Sequence, residues 1–347
     1  MMRNQFGAKP TNQDLKKYSS SDNWDGNKFI NLEKTGMNIS FQDIPKLLYK
    51  QFCEKKGREP KIPIPVAEFK RKDFLAPSDN AKFIWYGHSV ILMRIKGQTM
   101  LIDPMFGSNA APISPFSVKR FSKNTLDIIE KLPGIDLLLI SHDHYDHLDY
   151  DSIKLLKSKV KRFGVALGVS RHLKKWNIPM DNISEFDWWD KIDFEGIEIT
   201  FTPSRHFSGR GLKDRAKSLW GGWAFKTFNE NIWFSGDGGY GKHFKEVGER
   251  LGPFDFGFME CGQYNEKWHQ IHMFPEESVQ AAIDAKADKI MAVHWAAFAL
   301  AQHHWKDPIE RFTIKAQEMG ISNSRPQIGE LFSVKSQQTK NWWEKID

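Results

Sequence analysis

Only two cysteines occur in 347 residues, Cys53 and Cys261, and they stand far apart in the chain. No disulfide framework can be built from them. No stretch of about 18 apolar residues is present, so nothing reads as a membrane-spanning helix. The opening segment, MMRNQFGAKPTNQDLKKYSS, is polar and lacks the apolar centre of a secretory signal. The location expected on these grounds is cytoplasmic. Short-period repeats, long basic runs and nucleic-acid-binding motifs are also missing, which argues against a nucleic-acid partner. The net charge is nevertheless +7, with a pI near 9.1. A basic chain favours phosphate-bearing or anionic partners, although charge scattered for solubility accounts for it equally well.

What is present suits one large domain with an extension. Hydrophobic residues make up 40% of the chain, with 13 Trp and 26 Phe, ample for a core. Three parts are expected: an N-terminal extension over 1–80, a main domain over 81–335 and a tail over 336–347. Residues 1–35 are polar and read as extended or loosely ordered. FQDIPKLLYKQFCEKK (41–56) has apolar residues at helical spacing, with Pro45 suited to the first turn. Packing on the domain is the commoner fate of such a helix, and contact with a membrane surface is the alternative. KIPIP (61–65) reads as an extended connector. KFIWYGHSVILMRI (82–95), a turn at Lys96-Gly97-Gln98 and TMLIDP (99–104) form a hairpin that opens the main domain. The tail is polar apart from Trp342 and Trp343.

The densest chemistry lies in His142-Asp143-His144-Tyr145-Asp146-His147. Neutral imidazole and carboxylate are ligands that zinc and its neighbours prefer. Residues two apart in an extended stretch point the same way, so His142 and His144 can grip one ion. Asp146 and His147 can reach a second. IDLLLIS (135–141) precedes the motif as a buried strand, and Asp149 or Asp151 can cap a helix after it. Strand ends of this kind commonly carry ligands. Three further candidates also follow strand-like runs: His206 after IEITFT (197–202), Asp237 in the glycine-rich turn SGDGG (235–239), and His294 after KIMAV (289–293). A lone histidine after a strand is more often a core or surface residue, and a Gly-Asp-Gly turn is usually only a turn. Their shared placement sets these three apart. His172, His243, His303 and His304 lie in helical or polar contexts and are expected to be solvated.

With these residues in view, the chain resembles the metallo-β-lactamase superfamily of binuclear metal hydrolases. The blocks YGHSVILM (86–93), LIDPMFG (101–107), KRF (119–121), LLISHDHYDHLDYDS (138–152), DWW (187–189), FTPSRH (201–206), LWGGWAF (219–225), SGDGGY (235–240), GPFD (252–255), HMFPEE (272–277) and VHWAAFALA (293–301) narrow the resemblance. In order, over about 80–335, they are similar to N-acyl-phosphatidylethanolamine-hydrolysing phospholipase D and its bacterial relatives. The resemblance implies an α+β fold, a four-layer αββα sandwich of two mixed sheets built from two similar halves. It implies two divalent metal ions, zinc first, with manganese or iron as alternatives. His142, His144 and His206 would hold one, Asp146, His147 and His294 the other, and Asp237 would bridge them. Asp103 would fix an imidazole by accepting its ring N–H. His272 would stand near the substrate. His88 is family-like in position, with no role derivable from the sequence. Lys119, Arg120, Arg205 and Arg210 are candidates for holding a phosphate, although such residues are usually solvated.

The activity implied is phospholipase D-type hydrolysis of N-acyl-phosphatidylethanolamine or a related phospholipid. The nucleophile would be a metal-bridging hydroxide, since a metal lowers the pKa of water to about 7. Asp237 would hold both ions, and Asp146 or a water could protonate the leaving oxygen. Peripheral membrane contact and a homodimer belong to the same expectation. A lactonase, amidase or small-phosphoester hydrolase on the same fold is the alternative. A non-catalytic lipid-binding metalloprotein is a third reading, which the full set of ligand-type residues disfavours.

Overall fold

The computed structural model describes residues 2–40, 42–54, 56–111, 117–211 and 213–346. Among the described residues, fourteen strands form two sheets of seven. The first half supplies β1 (Lys82–Trp85), β2 (Ile91–Ile95), β3 (Gln98–Ile102), β4 (Ile135–Ile140), β5 (Val160–Ala166) and β6 (Ile183–Phe186). The second supplies β7 (Lys191–Phe194), β8 (Ile197–Thr202), β9 (Gly222–Lys226), β10 (Asn231–Phe234), β11 (Phe256–Glu260), β12 (Lys289–Val293) and β13 (Ser322–Asn323). The last strand, β14 (Leu331–Ser333), returns to pair with β1. The sheet orders are β14-β1-β2-β3-β4-β5-β6 and β13-β12-β11-β10-β9-β8-β7. Each half opens with antiparallel strands and continues with three parallel pairings, β3 to β6 in one and β10 to β13 in the other. The two sheets face each other, with helices outside, as the αββα arrangement requires.

The parallel strands explain the apolar runs. β4 reads IDLLLI and is buried at every position but Asp136, because sheet partners flank it and other layers cover both its faces. The sheets meet through aromatic rings: Phe83 on β1 lies 5.6 Å from Phe256 and 5.2 Å from Phe258 of β11. Phe186 on β6 meets Trp223 of β9 edge-on at 5.2 Å. Side chains of this size exclude water from the interface and dominate its energy. After β4, Asp149 caps the helix Tyr150–Leu156 by accepting from the Ser152 N–H at 2.9 Å. Such a cap is worth about 1 kcal/mol, and it fixes where the motif loop ends.

Several expectations need correction. KFIWYGHSVILMRI is two strands, broken where Gly87 and His88 take left-handed φ values of 82° and 53°. Residues 2–35, expected to be extended or loosely ordered, are ordered against the domain. They form the helices Met2–Gln5 and Asn12–Tyr18 and bury Tyr18 and Phe29. Polarity misled there because the few aromatic residues do the anchoring. The tail is likewise anchored: Trp342 and Trp343 are buried, and Trp342 stacks on Trp295 at 5.6 Å. The predicted amphipathic helix exists as Ile44–Cys53, with Pro45 in its first turn. Phe41 and Lys55 of that prediction lie outside the described residues. Ile44, Leu48 and Tyr49 of this helix are exposed, and Leu47 is half-buried. His172 and His243 are buried, contrary to expectation, whereas His303 is half-buried and His304 exposed.

Burial of His243 has a pH consequence. Burial, aided by the Arg205 charge, lowers its pKa from 6.5 to about 3. Between those values the unfolded chain binds a proton that the folded one refuses, so stability falls as pH falls through that window. The His243→Gln variant is expected to lose less of its urea midpoint than the parent between pH 6.5 and about 4.5. Equal losses would show that this ring gains its proton in the folded state.

Candidate metal centre

The strand ends converge on one edge of the sandwich. The loop after β4 carries His142, His144, Asp146 and His147. His206 follows β8, Asp237 follows β10 and His294 follows β12. The structure brings all seven together. His142 Nε2 lies 2.9 Å from His144 Nδ1, and His206 Nε2 lies 3.2 Å from the same atom. Asp237 Oδ2 is 3.0 Å from His147 Nε2, 2.9 Å from His294 Nε2 and 4.0 Å from His142 Nε2. Asp146 Oδ2 is 3.4 Å from His294 Nε2 and 3.6 Å from His147 Nε2. The ligand-type groups overlap: His142–His144–His206 and His88–Asp146–His147–His294 are linked by Asp237, which groups with His142 and His147 and also with His206 and His272, and Glu260 groups with His272 and His294. The glycine turn is needed to deliver Asp237. A Cβ on Gly236 would fall 2.2 Å from the Gly221 carbonyl oxygen, and one on Gly239 would fall 2.2 Å from the Gln270 backbone.

The hydrogen bonds around the rings decide where their protons sit. Ser141 Oγ donates to Asp103 Oδ2 at 2.6 Å, so its lone pair faces His142 Nδ1 at 2.9 Å. His147 Nδ1 donates to Asp103 Oδ2 at 2.8 Å, and His206 Nδ1 donates to the Ile271 carbonyl at 2.9 Å. His294 Nδ1 faces Glu260 Oε1 at 3.3 Å. Each acceptor holds the ring proton on Nδ1 and leaves a lone pair on Nε2. Four such nitrogens converge with two carboxylates. His144 can donate to at most one of the two nitrogens beside it. His147 Nε2 and Asp237 Oδ1 are buried without a hydrogen-bond partner. Converging lone pairs and anionic oxygens that lack protons are what a divalent cation satisfies, so the donor set fits a metal.

The electrostatics point the same way. Burial alone would lower His147, but the Asp237, Asp146 and Asp103 carboxylates outweigh it and lift its pKa to about 10. His294 is raised for the same reason, chiefly by Asp237 against burial. His142 and His206 are pushed well below 6.5 by burial and by neighbouring imidazoles. The carboxylates therefore call for positive charge beside His147 and His294, which without an ion is a second ring proton on Nε2 and which a metal cation would replace, while His142 and His206 stay neutral, as ligands must be.

The remaining candidates divide. Asp103 is buried and holds both Ser141 and His147. His88 lies inside the cluster: its Nε2 is 2.9 Å from Asp146 Oδ2 and its ring is 4.2 Å from that of His294. His272 sits at the mouth, 14% exposed, with its ring 5.0 Å from His206. The expectation that basic residues cradle a phosphate is corrected for the three arginines, whose guanidinium groups are spent inside the fold. Arg120 donates to the carbonyls of Gly107, Tyr86 and Met105. Arg205 donates to Thr35 Oγ1 and to the carbonyls of Lys34 and Tyr240. Arg210 donates to the carbonyls of Gln5, Asp143 and Leu148. Lys119 is exposed on a short bridge to Asn109.

Three contributors went unnoticed in the sequence. Asn31 clamps the His206 backbone, donating to its carbonyl at 2.8 Å and accepting its N–H at 3.1 Å. Glu260 closes the apolar strand FGFME, and a charge at that strand end was the available signal. Asp143, inside the motif itself, is fully buried and ties the motif loop to the loop carrying His206. It accepts from the Gly209 N–H at 2.7 Å, from Arg171 at 3.3 Å, and from Ser218. His172 Nε2 lies 3.1 Å from it, while His172 Nδ1 accepts the Ala8 N–H at 3.0 Å. Asp143→Ala would strand the buried Arg171 charge. A loss of about 3–5 kcal/mol in urea unfolding is expected, together with lowered metal content. A loss below about 1 kcal/mol, the range of an exposed pair, would contradict this account.

Comparison with known proteins agrees with the geometry. Residues 98–295 match the family model of the beta-lactamase superfamily domain. An uncharacterized protein of Mycobacterium tuberculosis is 34% identical over 315 residues, spanning 89% of this chain and 84% of the relative. The N-acyl-phosphatidylethanolamine-hydrolyzing phospholipase D 1 of Caenorhabditis elegans is 32% identical over 251 residues, 68% of this chain and 69% of that one. Igni18, a metallo hydrolase from Ignicoccus hospitalis, aligns with a TM-score of 0.57 at 19% identity, covering 73% of this chain and 97% of its own. At that identity the likeness is one of fold. Strand order, clustered histidines and sequence matches together place this chain in the metallo-β-lactamase superfamily, with the fold of a metal-dependent hydrolase and a His/Asp cluster able to bind metal ions.

Proposed function

We infer that the protein is a binuclear metal-dependent phosphodiesterase of the phospholipase D type, acting on N-acyl-phosphatidylethanolamine or a related phospholipid. The observation that carries the reading is the cluster of seven ligand-type residues, with Asp237 grouped with His142 and His147 from the two sides, in a chain similar along 251 residues to a lipase of that specificity. His142, His144 and His206 would hold one ion, Asp146, His147 and His294 the other, and Asp237 both. Mixed imidazole and carboxylate donors favour zinc, with manganese or iron as alternatives. Divalent ions there supply Lewis acidity and a hydroxide nucleophile near neutral pH.

The chain's own residues do the rest. Asp103 and His88 keep His147 and Asp146 in place. The buried walls exclude bulk water from one side, so attack comes from the mouth. One P–O bond forms from water oxygen and the P–O bond to the N-acylethanolamine breaks. The departing oxygen needs a proton, which His272 Nε2 is placed to deliver, since Glu260 occupies its Nδ1. The products are phosphatidic acid and an N-acylethanolamine. A phospholipid substrate also calls for contact with a membrane surface. The helix Ile44–Cys53 supports this with exposed Ile44, Leu48 and Tyr49 beside Lys46 and Lys50. Among the described residues no helix is long and apolar enough to cross a membrane.

Metal-loaded protein is expected to release N-acylethanolamine from N-acyl-phosphatidylethanolamine in mixed micelles. A chelator should abolish release and added zinc or manganese restore it, and Asp237→Asn should lower it by more than about 100-fold. Loaded protein that leaves this lipid intact but cleaves small soluble phosphodiesters or lactones would replace the lipid reading. Firm vesicle binding with no hydrolysis of any of them would favour the non-catalytic one.

A further inference from the structure

We propose that Glu260 is a positioning residue, one carboxylate that aligns both His294 and His272 with the metal centre. The proposal rests on the metal reading of the cluster. Glu260 ends β11 after four buried residues and is itself fully buried. A carboxylate in such a place is costly unless its oxygens are matched by donors. Its Oε1 is hydrogen-bonded to His272 Nδ1 at 3.1 Å and lies 3.3 Å from His294 Nδ1, which also faces the Gly262 carbonyl at 3.5 Å. Its Oε2 accepts the Met273 N–H at 3.1 Å. A carboxylate of this kind only accepts, so both rings carry their protons on Nδ1.

The rings are stacked, with centroids 5.1 Å apart and planes inclined by 11°. Nearly parallel rings held at Nδ1 by one oxygen present their Nε2 atoms to the same side. For His294 that side holds Asp237 Oδ2, 2.9 Å away. For His272 it is the mouth, beside His206 and Asp237. One side chain thereby sets a metal-facing nitrogen and a substrate-facing nitrogen in fixed relation. The bond from Oε2 to Met273 continues the device, because it pins the segment just past His272. Ser278 Oγ, by contrast, bonds the Glu260 backbone carbonyl at 2.6 Å and serves only the strand end.

Glu260→Gln keeps the size but offers an acceptor to the two rings or to Met273, not to both. The test loads wild type, Glu260→Gln and Ser278→Ala with cobalt(II). It reads the visible d–d spectrum, metal affinity against a chelator, and kcat and KM separately. Glu260→Gln is expected to shift the bands, weaken metal binding about 10–100-fold and lower kcat with KM little changed. Ser278→Ala should do none of these. Bands, affinity and kcat unchanged in Glu260→Gln would overturn the proposal, while wild type that takes up no metal would instead overturn the metal reading beneath it. If Glu260→Gln does not fold, nitrogen-15 histidine spectra of zinc-loaded wild type decide. Protons on Nδ1 of both His272 and His294 support the proposal, and an Nδ1 of His272 that carries no proton refutes it.

Discussion

The fold depends on holding histidine rings and carboxylates close together in a buried centre. His142, His147, His206 and His294 each have an acceptor against Nδ1 and turn Nε2 into the centre, where His147 and His294 meet the Asp237 carboxylate. Left to themselves such groups would rotate toward water or take up protons. They are held because their acceptors belong to the most buried part of the chain: Asp103 at the end of β3, Glu260 at the end of β11 and the backbone at Ile271. Parallel strands buried on both faces are rigid enough to aim side chains in this way. The continuous apolar runs that fill the sequence are thus the support on which the polar centre stands.

The two halves are joined at that same place. His88 and His294 both adopt left-handed backbone conformations, with φ of 53° and 67°. The His294 N–H donates to the His88 carbonyl and the His88 N–H to the Trp295 carbonyl, each at 2.9 Å. This exchange links the β1–β2 turn of one sheet to the end of β12 in the other. Such conformations cost of order 1–3 kcal/mol each and persist only where the surroundings impose them. Both ends of the chain add to the bracing. Asn31 fastens the His206 backbone, Ala8 engages the Asp143–His172 pair, and Trp342 and Trp343 pack on Trp295.

The motif was legible because its spacing is local: one strand end delivers His142, His144, Asp146 and His147 within six positions. His206, Asp237 and His294 could be nominated because each follows an apolar strand, and strand ends gather at a sheet edge. Asp143 was passed over because it reads as filler between two histidines, and only the approach of Arg171, Ser218 and Gly209 shows what it binds. The arginines misled for the opposite reason. A guanidinium near a candidate site looks available for phosphate, yet its five donors also suit stray backbone carbonyls, and Arg120, Arg205 and Arg210 are used in that way.

The sequence alone determines strands with histidines and carboxylates at their ends, while the α+β sandwich is implied by the resemblance its motif blocks carry. Alternation, apolar runs and motif spacing are properties of neighbouring residues. Tertiary structure alone decided which ring nitrogen carries each proton, because that depends on partners far along the chain: Asp103 for His147, Ile271 for His206, Glu260 for His272 and His294. It alone decided that the polar ends fold back onto the site. A few buried aromatic residues supply enough burial to order a polar segment, and no local pattern reveals which surface they will meet.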